Sequence, residues 1–368
     1  MNVKRYNYRD QLGQTLPSLV SDLQRMLADG EYILTREVSE FETAFGQYLD
    51  VKYVRGVNSG TDALLIALLA LGLREGDEVI TQANTFNATV AAIRFAGAKP
   101  VLVDANEPSY LINDDQIESV ITERTRVIIP VHLFGKPTPM MKILSMAKKY
   151  GLAVVEDAAQ AHGARIHGKR VGSFGTIGCF SFHPSKNLAA AGDAGAVVTN
   201  DATIDMEMKR RRELGQEGQN CHVVLGMNSK LDAIQARILS HKLQHLDGWN
   251  ESRRRVAGWY RKYLEGLPLG FQELHPDEEH VFHLMQIRTN RRNPLLDYLR
   301  LHEVDATIRY PVPVHLQAAF ADQGWRKGQF PVAERLCDEL LCLPIRPDMS
   351  TEEVEYVADC IRAFFREQ

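Results

Sequence analysis

Short apolar segments alternate with stretches of helical periodicity over the middle of the chain. The apolar segments are rich in β-branched residues, as buried strands are, and they occupy residues 79–80, 101–103, 127–129 and 153–155. The helical stretches occupy residues 61–71, 88–96, 114–121 and 140–150. This alternation predicts βαβ units around a largely parallel, buried sheet.

Two more apolar segments, residues 178–182 and 195–199, follow this region and are close together in the chain. A short connection joins antiparallel strands, whereas parallel strands need a long crossover. We therefore expect this pair to close the sheet with an antiparallel edge.

The pattern changes after Asn228. Residues 231–264 predict one long helix or two consecutive helices. The remaining elements are predicted to be one strand and two helices, at residues 281–289, 294–302 and 351–366. We therefore predict an α/β protein with a large domain at residues 1–245 and a smaller α+β domain at residues 246–368.

The N-terminal segment is expected to pack on the large domain. Leu16, Val20, Leu23 and Leu27 recur at helical spacing. That spacing predicts a helix whose apolar face lies against the body of the protein.

Composition narrows the class of protein. The 368 residues are 45% hydrophobic and 24% charged, which is typical of a soluble globular protein. A net charge of −4 gives no support to a nucleic-acid partner. No apolar run reaches the length of about 18 residues that a membrane helix needs, and the first residues contain no signal-peptide core. The five scattered cysteines form no metal-binding motif, so we expect reduced thiols, a cytoplasmic location and no metal site.

The first candidate site lies at residues 58–61, Asn-Ser-Gly-Thr, which precede a strongly apolar helix. The free N–H groups and the positive dipole end of a helix bind anions, and the Thr61 hydroxyl adds a donor. Taken alone, an ordinary N-cap at Ser59 is the commoner explanation of such a sequence.

The second and third candidate sites contain a carboxylate and an amine. Asp157 follows the apolar segment 153–155, at the strand end where open α/β sheets bind ligands, and Gln160 is three residues further on. Lys186 follows Pro184 between two apolar segments. An isolated Asp here is more often a helix cap and an isolated Lys more often a surface residue, although a desolvated Lys loses pKa and becomes a nucleophile.

The three candidate sites are more informative in combination than separately. An anion site at a helix start, a carboxylate about 100 residues later and a lysine about 30 residues after that match what pyridoxal phosphate needs. The cofactor takes a phosphate cradle, an acid paired with its pyridinium nitrogen and a lysine Schiff base.

With these residues in place, the chain resembles the DegT/DnrJ/EryC1/StrS sugar aminotransferases, which are fold-type I pyridoxal phosphate enzymes. The resemblance rests on motifs spread over nearly the whole chain, which are Ser59-Gly-Thr-Asp-Ala-Leu, Thr85-Phe-Asn-Ala-Thr, Pro130-Val-His-Leu-Phe-Gly, Glu156-Asp-Ala-Ala-Gln-Ala-His-Gly, Ser181-Phe-His-Pro-Ser-Lys-Asn-Leu, Gly226-Met-Asn-Ser-Lys-Leu-Asp and Tyr310-Pro-Val-Pro-Val-His. It implies a large domain with a mostly parallel seven-stranded sheet between helices.

The resemblance also implies roles for individual residues. Lys186 matches the lysine that bonds to the cofactor and moves protons, and Asp157 matches the partner of the pyridinium nitrogen. The other implied cofactor contacts are Gly60, Thr61 and Ser181 at the phosphate, Phe86 on the ring face, Gln160 near the ring oxygen, and Asn228 supplied by a partner subunit. The implied sugar-pocket candidates are His183, Tyr310 and His315. Asn228 in that role implies a homodimer with shared sites.

The implied reaction moves an amino group from L-glutamate to a nucleotide-linked keto sugar. Residues 192–195, Gly-Asp-Ala-Gly, resemble the members that aminate C3 of a 3-keto-6-deoxyhexose, most often on dTDP, whereas Gly-Glu-Gly-Gly is typical of C4 amination. Lys230 departs from the usual Arg and loses its bidentate geometry. The alternatives are a 4-keto sugar nucleotide aminotransferase, a keto-inositol aminotransferase and a non-catalytic cofactor-binding regulator. Dehydration at C3 is disfavoured because that chemistry replaces the lysine with His.

Overall fold

A seven-stranded sheet forms the centre of the computed structural model, which describes residues 1–8 and 13–366. Its strands in chain order are β1 (Tyr53–Val57), β2 (Glu78–Gln82), β3 (Lys99–Val103), β4 (Thr125–Ile129), β5 (Ala153–Asp157), β8 (Ile177–Ser181) and β9 (Gly195–Thr199). Short strands β6 (Arg165–Ile166) and β7 (Lys169–Arg170) intervene. The spatial order is β1-β9-β8-β5-β4-β2-β3, and β9 alone runs antiparallel to its neighbours in this sheet.

Helices cover the sheet on both sides. Those before residue 244 are α1 (Leu16–Asp29), α2 (Arg36–Leu49), α3 (Gly60–Ala70), α4 (Asn87–Phe95), α5 (Asp114–Ile117), α6 (Met140–Tyr150), α7 (Ala202–Arg212) and α8 (Ala233–Leu243). Every residue of β2 and of β9 is buried, as expected for a sheet with helices on both faces.

The C-terminal part contains a three-stranded antiparallel sheet packed by helices. Its strands are β10 (Gly270–Phe271), β12 (Met285–Arg288) and β13 (Leu340–Leu343), in the order β10-β12-β13, while β11 (Glu278–Glu279) pairs with β6 of the large part. Its helices are α9 (Leu246–Tyr263), α10 (Arg292–Leu301), α11 (Pro331–Glu339) and α12 (Thr351–Arg366). A separate hydrophobic cluster, which includes Val256, Ile287 and Ile361, fills this part.

The predicted elements are largely confirmed, with two exceptions in the sheet. The segment 195–199 is antiparallel as expected, but it is not an edge, because β1 pairs with its outer side. Strand β1 itself was not predicted. The stretch 231–264 forms two helices, with the break at residues 244–245, and the domain boundary placed at residue 245 stays a prediction.

The N-terminal segment packs on the body of the protein as predicted, with Leu23 and Met26 at the main core cluster, but it differs from its prediction in two details. Residues 1–8 contact the C-terminal part. Val3 pairs with Val304 there and belongs to the hydrophobic cluster that includes Val256. Helix α1 buries Leu19 and Met26, whereas Leu16, Val20 and Leu27 of the predicted apolar face are 43%, 52% and 57% exposed. Over residues 1–8 and 13–366, no helix is both long and apolar enough to span a membrane.

Candidate active site

The strands β1, β8 and β5 end at one edge of the sheet and bring the candidate residues together. Asp157 is the last residue of β5 and Ser181 the last of β8, and the two strands pair in parallel. Ser59 follows β1 and begins α3. In an open α/β sheet, this carboxyl edge is where ligands bind.

The start of α3 is closely packed and could hold an anion. The Ser59 hydroxyl accepts a hydrogen bond from the Asp62 N–H at 3.1 Å, so Ser59 is the N-cap, as the simpler explanation proposed. The N–H groups of the first helical turn have no acceptor within the helix. A Cβ on Gly60 would lie 2.5 Å from the Cβ of Ser181. Glycine is therefore required for this close approach, and the cap is compatible with an anion site.

Asp157 is held by two donors in a buried position. One carboxylate oxygen accepts from the Thr89 hydroxyl at 2.9 Å and the other from the Ala159 N–H at 3.2 Å. Burial raises the pKa of Asp157, although these two hydrogen bonds and the charge of Lys186 act in the opposite direction. A cationic ring N–H next to this carboxylate would favour its charged form.

Glu156, the residue before Asp157, anchors the end of β5 from the other side of the strand. Its carboxylate accepts from the N–H groups of Gly172, Phe174 and Gly175 at 2.6–2.7 Å, and His132 lies 3.1 Å away. Glu156 is fully buried, and a buried carboxylate needs such partners. It therefore fixes the strand that presents Asp157.

Lys186 lies in a tight turn after β8. Its N–H bonds to the carbonyl of His183 at 2.8 Å. The next residue, Asn187, is buried and donates to Asn250 at 2.9 Å and to the carbonyl of Val281 at 3.0 Å. Desolvation lowers the pKa of Lys186 to about 8, while the charge of Asp157 acts to raise it and the charge of Arg309 to lower it. The lysine therefore has an accessible amine form.

Gln160 links the segment after β5 to the segment after α10, which contains Tyr310. Its side-chain oxygen accepts from the Phe134 N–H, and its side-chain nitrogen donates to the Tyr310 hydroxyl, both at 2.8 Å. Phe134 and Tyr310 have φ angles of 64° and 55°, a conformation that is unusual for bulky residues. Burial raises the pKa of Tyr310 well above its usual value, so its O–H remains available as a donor.

One cavity of about 350 Å³ connects these groups. Nine of the predicted site residues line it, namely Gly60, Thr61, Phe86, Asp157, Gln160, Ser181, His183, Lys186 and Tyr310. Phe86 begins α4 and is 53% exposed, with its ring centroid 5.9 Å from that of Tyr310. An exposed aromatic face of this kind can stack on a planar ring.

Asn228 and His315 do not line this cavity. Asn228 is exposed, its carbonyl accepts from Asn58, and its side chain accepts from Lys230. His315 is buried, with its ring nitrogen 2.9 Å from Glu334 and its ring against Phe330. The role of His315 at the sugar pocket stays a prediction. The role of Asn228 at a partner's site stays a prediction.

Three residues with ionisable side chains line the cavity without having been predicted as site residues, namely Asp193, His283 and Arg309. Arg309 directly precedes the Tyr310 motif, which was the only indication in the sequence. His283 comes from the C-terminal part and contacts Asn187 at 3.3 Å. Burial lowers the pKa of His283 well below its usual value, so it is neutral in the folded chain.

The family model of the DegT/DnrJ/EryC1/StrS aminotransferases matches residues 17–362. The chain belongs to this aminotransferase family. A crystal structure of S. venezuelae DesV in complex with a ketimine intermediate superposes with a TM-score of 0.96 at 39% identity, covering 99% of this chain and 98% of that one. The fold of the family therefore extends over the whole chain.

Three relatives illustrate the functions assigned within the family. A UDP-N-acetyl-3-dehydro-α-D-glucosamine 3-aminotransferase of Acidithiobacillus ferrooxidans is 43% identical over 94% of this chain and 93% of its own length. A dTDP-3-amino-3,4,6-trideoxy-α-D-glucose transaminase of Streptomyces venezuelae is 41% identical over 92% and 90%. A pleiotropic regulatory protein of Geobacillus stearothermophilus is also 41% identical, over 100% and 99%.

Proposed function

We propose that this aminotransferase uses pyridoxal phosphate to move the amino group of L-glutamate to a nucleotide-linked 3-keto-6-deoxyhexose. The observation that carries the proposal is the meeting of Lys186, Asp157 and the α3 anion site in one cavity of about 350 Å³. Asp157 ends β5, Lys186 lies in the turn after β8, and α3 follows β1. Together they supply the groups that the cofactor requires.

The cavity residues fit pyridoxal phosphate. The absence of a Cβ at Gly60 lets Ser181 lie close against the start of α3, where Thr61 and Ser181 can add hydroxyl donors to a phosphate. Asp157 would pair with the ring nitrogen, and Phe86 would cover one ring face. Titration of the cofactor-free protein with pyridoxal phosphate, followed by absorbance, tests this fit directly.

The chain's own residues would then hold the cofactor and move protons. When bound, pyridoxal phosphate supplies an aldehyde carbon to which the amino group is transferred, and a ring that acts as an electron sink. Lys186 would anchor the cofactor and transfer the α-proton of the amino donor, for which a pKa of about 8 is suitable near neutral pH. Asp157 would keep a proton on the facing nitrogen.

Position 3 of the sugar is favoured by two observations. The segment 192–195 has the Asp-Ala form, and Asp193 lines the cavity. The two aminotransferase relatives described above are both named for an amino group at position 3. Their names differ in the nucleotide, which is UDP in one and dTDP in the other. We favour dTDP because the family members that residues 192–195 resemble act on 6-deoxyhexoses linked to dTDP.

A substrate panel tests the acceptor. Holoenzyme and L-glutamate are incubated with dTDP-, UDP- and GDP-linked 3-keto and 4-keto sugars and with a keto-inositol, and NMR identifies the aminated carbon. A polar pocket can reject the wrong isomer by about 10⁴, so we expect one regioisomer to dominate kcat/KM. A preference for the 4-keto compound, or for a keto-inositol, would overturn the proposed acceptor.

A non-catalytic regulator is the second candidate, because the full-length Geobacillus relative is named a regulatory protein. The intact Lys186 in the cavity favours catalysis. Formation of 2-oxoglutarate from glutamate distinguishes the two, since a regulator without turnover would bind the cofactor and release no keto acid.

We also propose a cytoplasmic homodimer with shared sites. Support comes from the exposed position of Asn228, outside its own cavity, and from apolar side chains at the surface of α1. The five cysteines are free thiols in the structure, in keeping with a reducing compartment.

A further inference from the structure

Arg309 is a cationic wall of the cavity that the cofactor does not account for. Within residues 1–8 and 13–366, Arg309 and Lys186 supply the lysine and arginine side chains that line the cavity. Lys186 is assigned to the cofactor. Arg309 therefore remains as a fixed positive charge in the space where a substrate must lie.

The guanidinium group of Arg309 is incompletely paired in the described chain. One terminal nitrogen donates to the Tyr6 hydroxyl at 2.8 Å. Tyr6 is the side-chain partner that the described residues give this guanidinium, and none of their carboxylates lies within ion-pair distance of it. A guanidinium with free donors in a partly enclosed site is suited to bind a carboxylate or phosphate.

We propose that Arg309 binds the α-carboxylate of the amino donor, an inference that rests on glutamate being the donor in the proposed function. The α-carboxylate is attached to the reacting carbon and must lie close to Lys186. Arg309 and Lys186 line the same cavity of about 350 Å³, and Arg309 directly precedes Tyr310 on the cavity wall. The diphosphate of a sugar nucleotide is attached at C1, further from a reacting C3 carbonyl, and would lie further from the lysine.

The two half-reactions allow the proposal to be tested separately from the sugar specificity. Arg309→Gln removes the charge, and Arg309→Lys keeps the charge without the two-pronged geometry. We expect Arg309→Gln to raise the half-saturating glutamate concentration of the first half-reaction about tenfold to hundredfold, as for loss of a charge-assisted hydrogen-bond pair. Arg309→Lys should have a smaller effect.

A binding measurement complements the kinetics. Calorimetry should show the same weakening for 2-oxoglutarate added to the holoenzyme, since the keto acid has the same two carboxylates and needs no turnover. The second half-reaction, in which enzyme loaded with pyridoxamine phosphate meets the keto sugar nucleotide, should change by less than about threefold.

Two control variants separate the charge from packing. Tyr6→Phe removes the hydroxyl that Arg309 contacts and should alter the glutamate half-reaction only slightly. Arg94→Gln removes a surface arginine that pairs with Asp322 at 2.7 Å and should alter neither half-reaction. Unchanged thermal midpoints and cofactor spectra will show that the Arg309 variants are folded.

The remaining outcomes overturn the proposal in distinct ways. Equal losses in both half-reactions would assign Arg309 to the shape of the site, and a loss confined to the sugar half-reaction would assign it to an anionic group of the sugar nucleotide. A wild-type enzyme that reacts with glutamate but with no keto sugar overturns the proposed acceptor and leaves Arg309 testable. A wild-type enzyme that does not react with glutamate overturns both.

Discussion

At the scale of single residues, lysine chemistry depends on place and not on pKa alone. Lys186 and Lys242 both have a pKa lowered to about 8 by desolvation. Lys242 donates to the carbonyl of Ala189 at 2.8 Å and is not among the residues that line the cavity of Lys186. A depressed pKa marks a functional candidate only when the group also faces a cleft.

This comparison gives a matched pair of variants. Lys186→Ala should abolish transamination and remove the absorbance of lysine-bound cofactor, because no other amine of the described chain lines the cavity. Lys242→Met, which keeps a side chain of similar length, should retain that absorbance. The measurement is a spectrum of each purified variant with pyridoxal phosphate, and a lysine-bound spectrum in Lys186→Ala would contradict the assignment.

The same lysine predicts a pH dependence for cofactor capture. Only the neutral amine attacks an aldehyde, and Lys186 in the folded chain has a pKa of about 8, below the ordinary lysine value of 10.5. Capture of pyridoxal phosphate by cofactor-free protein should therefore accelerate as the pH rises through about 8 and then level off. Stopped-flow absorbance measures the rate, and an increase that continues to the ordinary lysine pKa would refute the environment described for Lys186.

Asp157 predicts a different defect. Asp157→Asn keeps the shape of the side chain and its contact with Thr89 but removes the negative charge that stabilises a protonated ring nitrogen. We expect the cofactor to stay bound and kcat to decrease about 100-fold or more, the scale of losing one preorganised electrostatic partner. Thr89→Val is the control, because it removes one hydrogen bond and leaves the charge. Near-normal turnover in Asp157→Asn would refute the role.

At the scale of elements, close packing at the start of α3 makes Gly60 a sensitive position. A Cβ there would lie 2.5 Å from the Cβ of Ser181, so the helix start and the end of β8 must separate. Gly60→Ala should weaken cofactor binding, as measured by titration with pyridoxal phosphate. Gly248→Ala in α9 is the matched control, since nothing lies within 4 Å of its added Cβ, and it should raise stability by up to about 1 kcal/mol. Equal cofactor affinity in both variants would contradict the cradle.

Elements with strong local patterns could be predicted, and those that depend on distant partners could not. Helices α6 and α12 match their predicted bounds because their apolar residues recur at helical spacing. Strand β1 was not predicted because Arg55 interrupts its apolar run. In the structure, the guanidinium of Arg55 donates two hydrogen bonds to the carboxylate of Asp205, at 2.6 Å and 2.7 Å. The pairing of β1 with β9 joins segments about 140 residues apart, which no local pattern reveals.

The same distinction applies to the cavity. Lys186 and Asp157 lie within sequence motifs, so motif and chemistry together identified them. His283 and Arg309 reach the cavity only because the C-terminal part folds back on the large sheet, through contacts such as Gln160 with Tyr310. For α1, the periodicity correctly predicted an apolar helix. The side chains that the chain itself buries are Leu19 and Met26, which lie outside the predicted apolar face.

At the scale of the whole molecule, the exposed apolar residues indicate a surface that another chain would cover. Leu16, Val20 and Leu27 project from α1, and Leu225, in the loop that leads to Asn228, is 89% exposed. Exposed apolar residues are normal on a protein surface, so these four support the proposed dimer only together with the exposed position of Asn228. A second copy of the chain is the occupant that would also bring Asn228 to a cavity.

Mixing two inactive variants tests the shared site. Lys186→Ala removes the amine, and Asn228→Asp would place a negative charge beside the partner's cofactor phosphate. In a mixed dimer both lesions fall in one site and leave the other intact, because each site takes its lysine from one chain and its Asn228 from the other. Random exchange makes half of the dimers mixed, so up to about a quarter of wild-type activity should return. Size-exclusion chromatography verifies the dimer, and exchange of tagged chains verifies mixing. If activity stays absent after verified exchange, Lys186 and Asn228 serve the site of the same chain and the shared-site dimer is wrong.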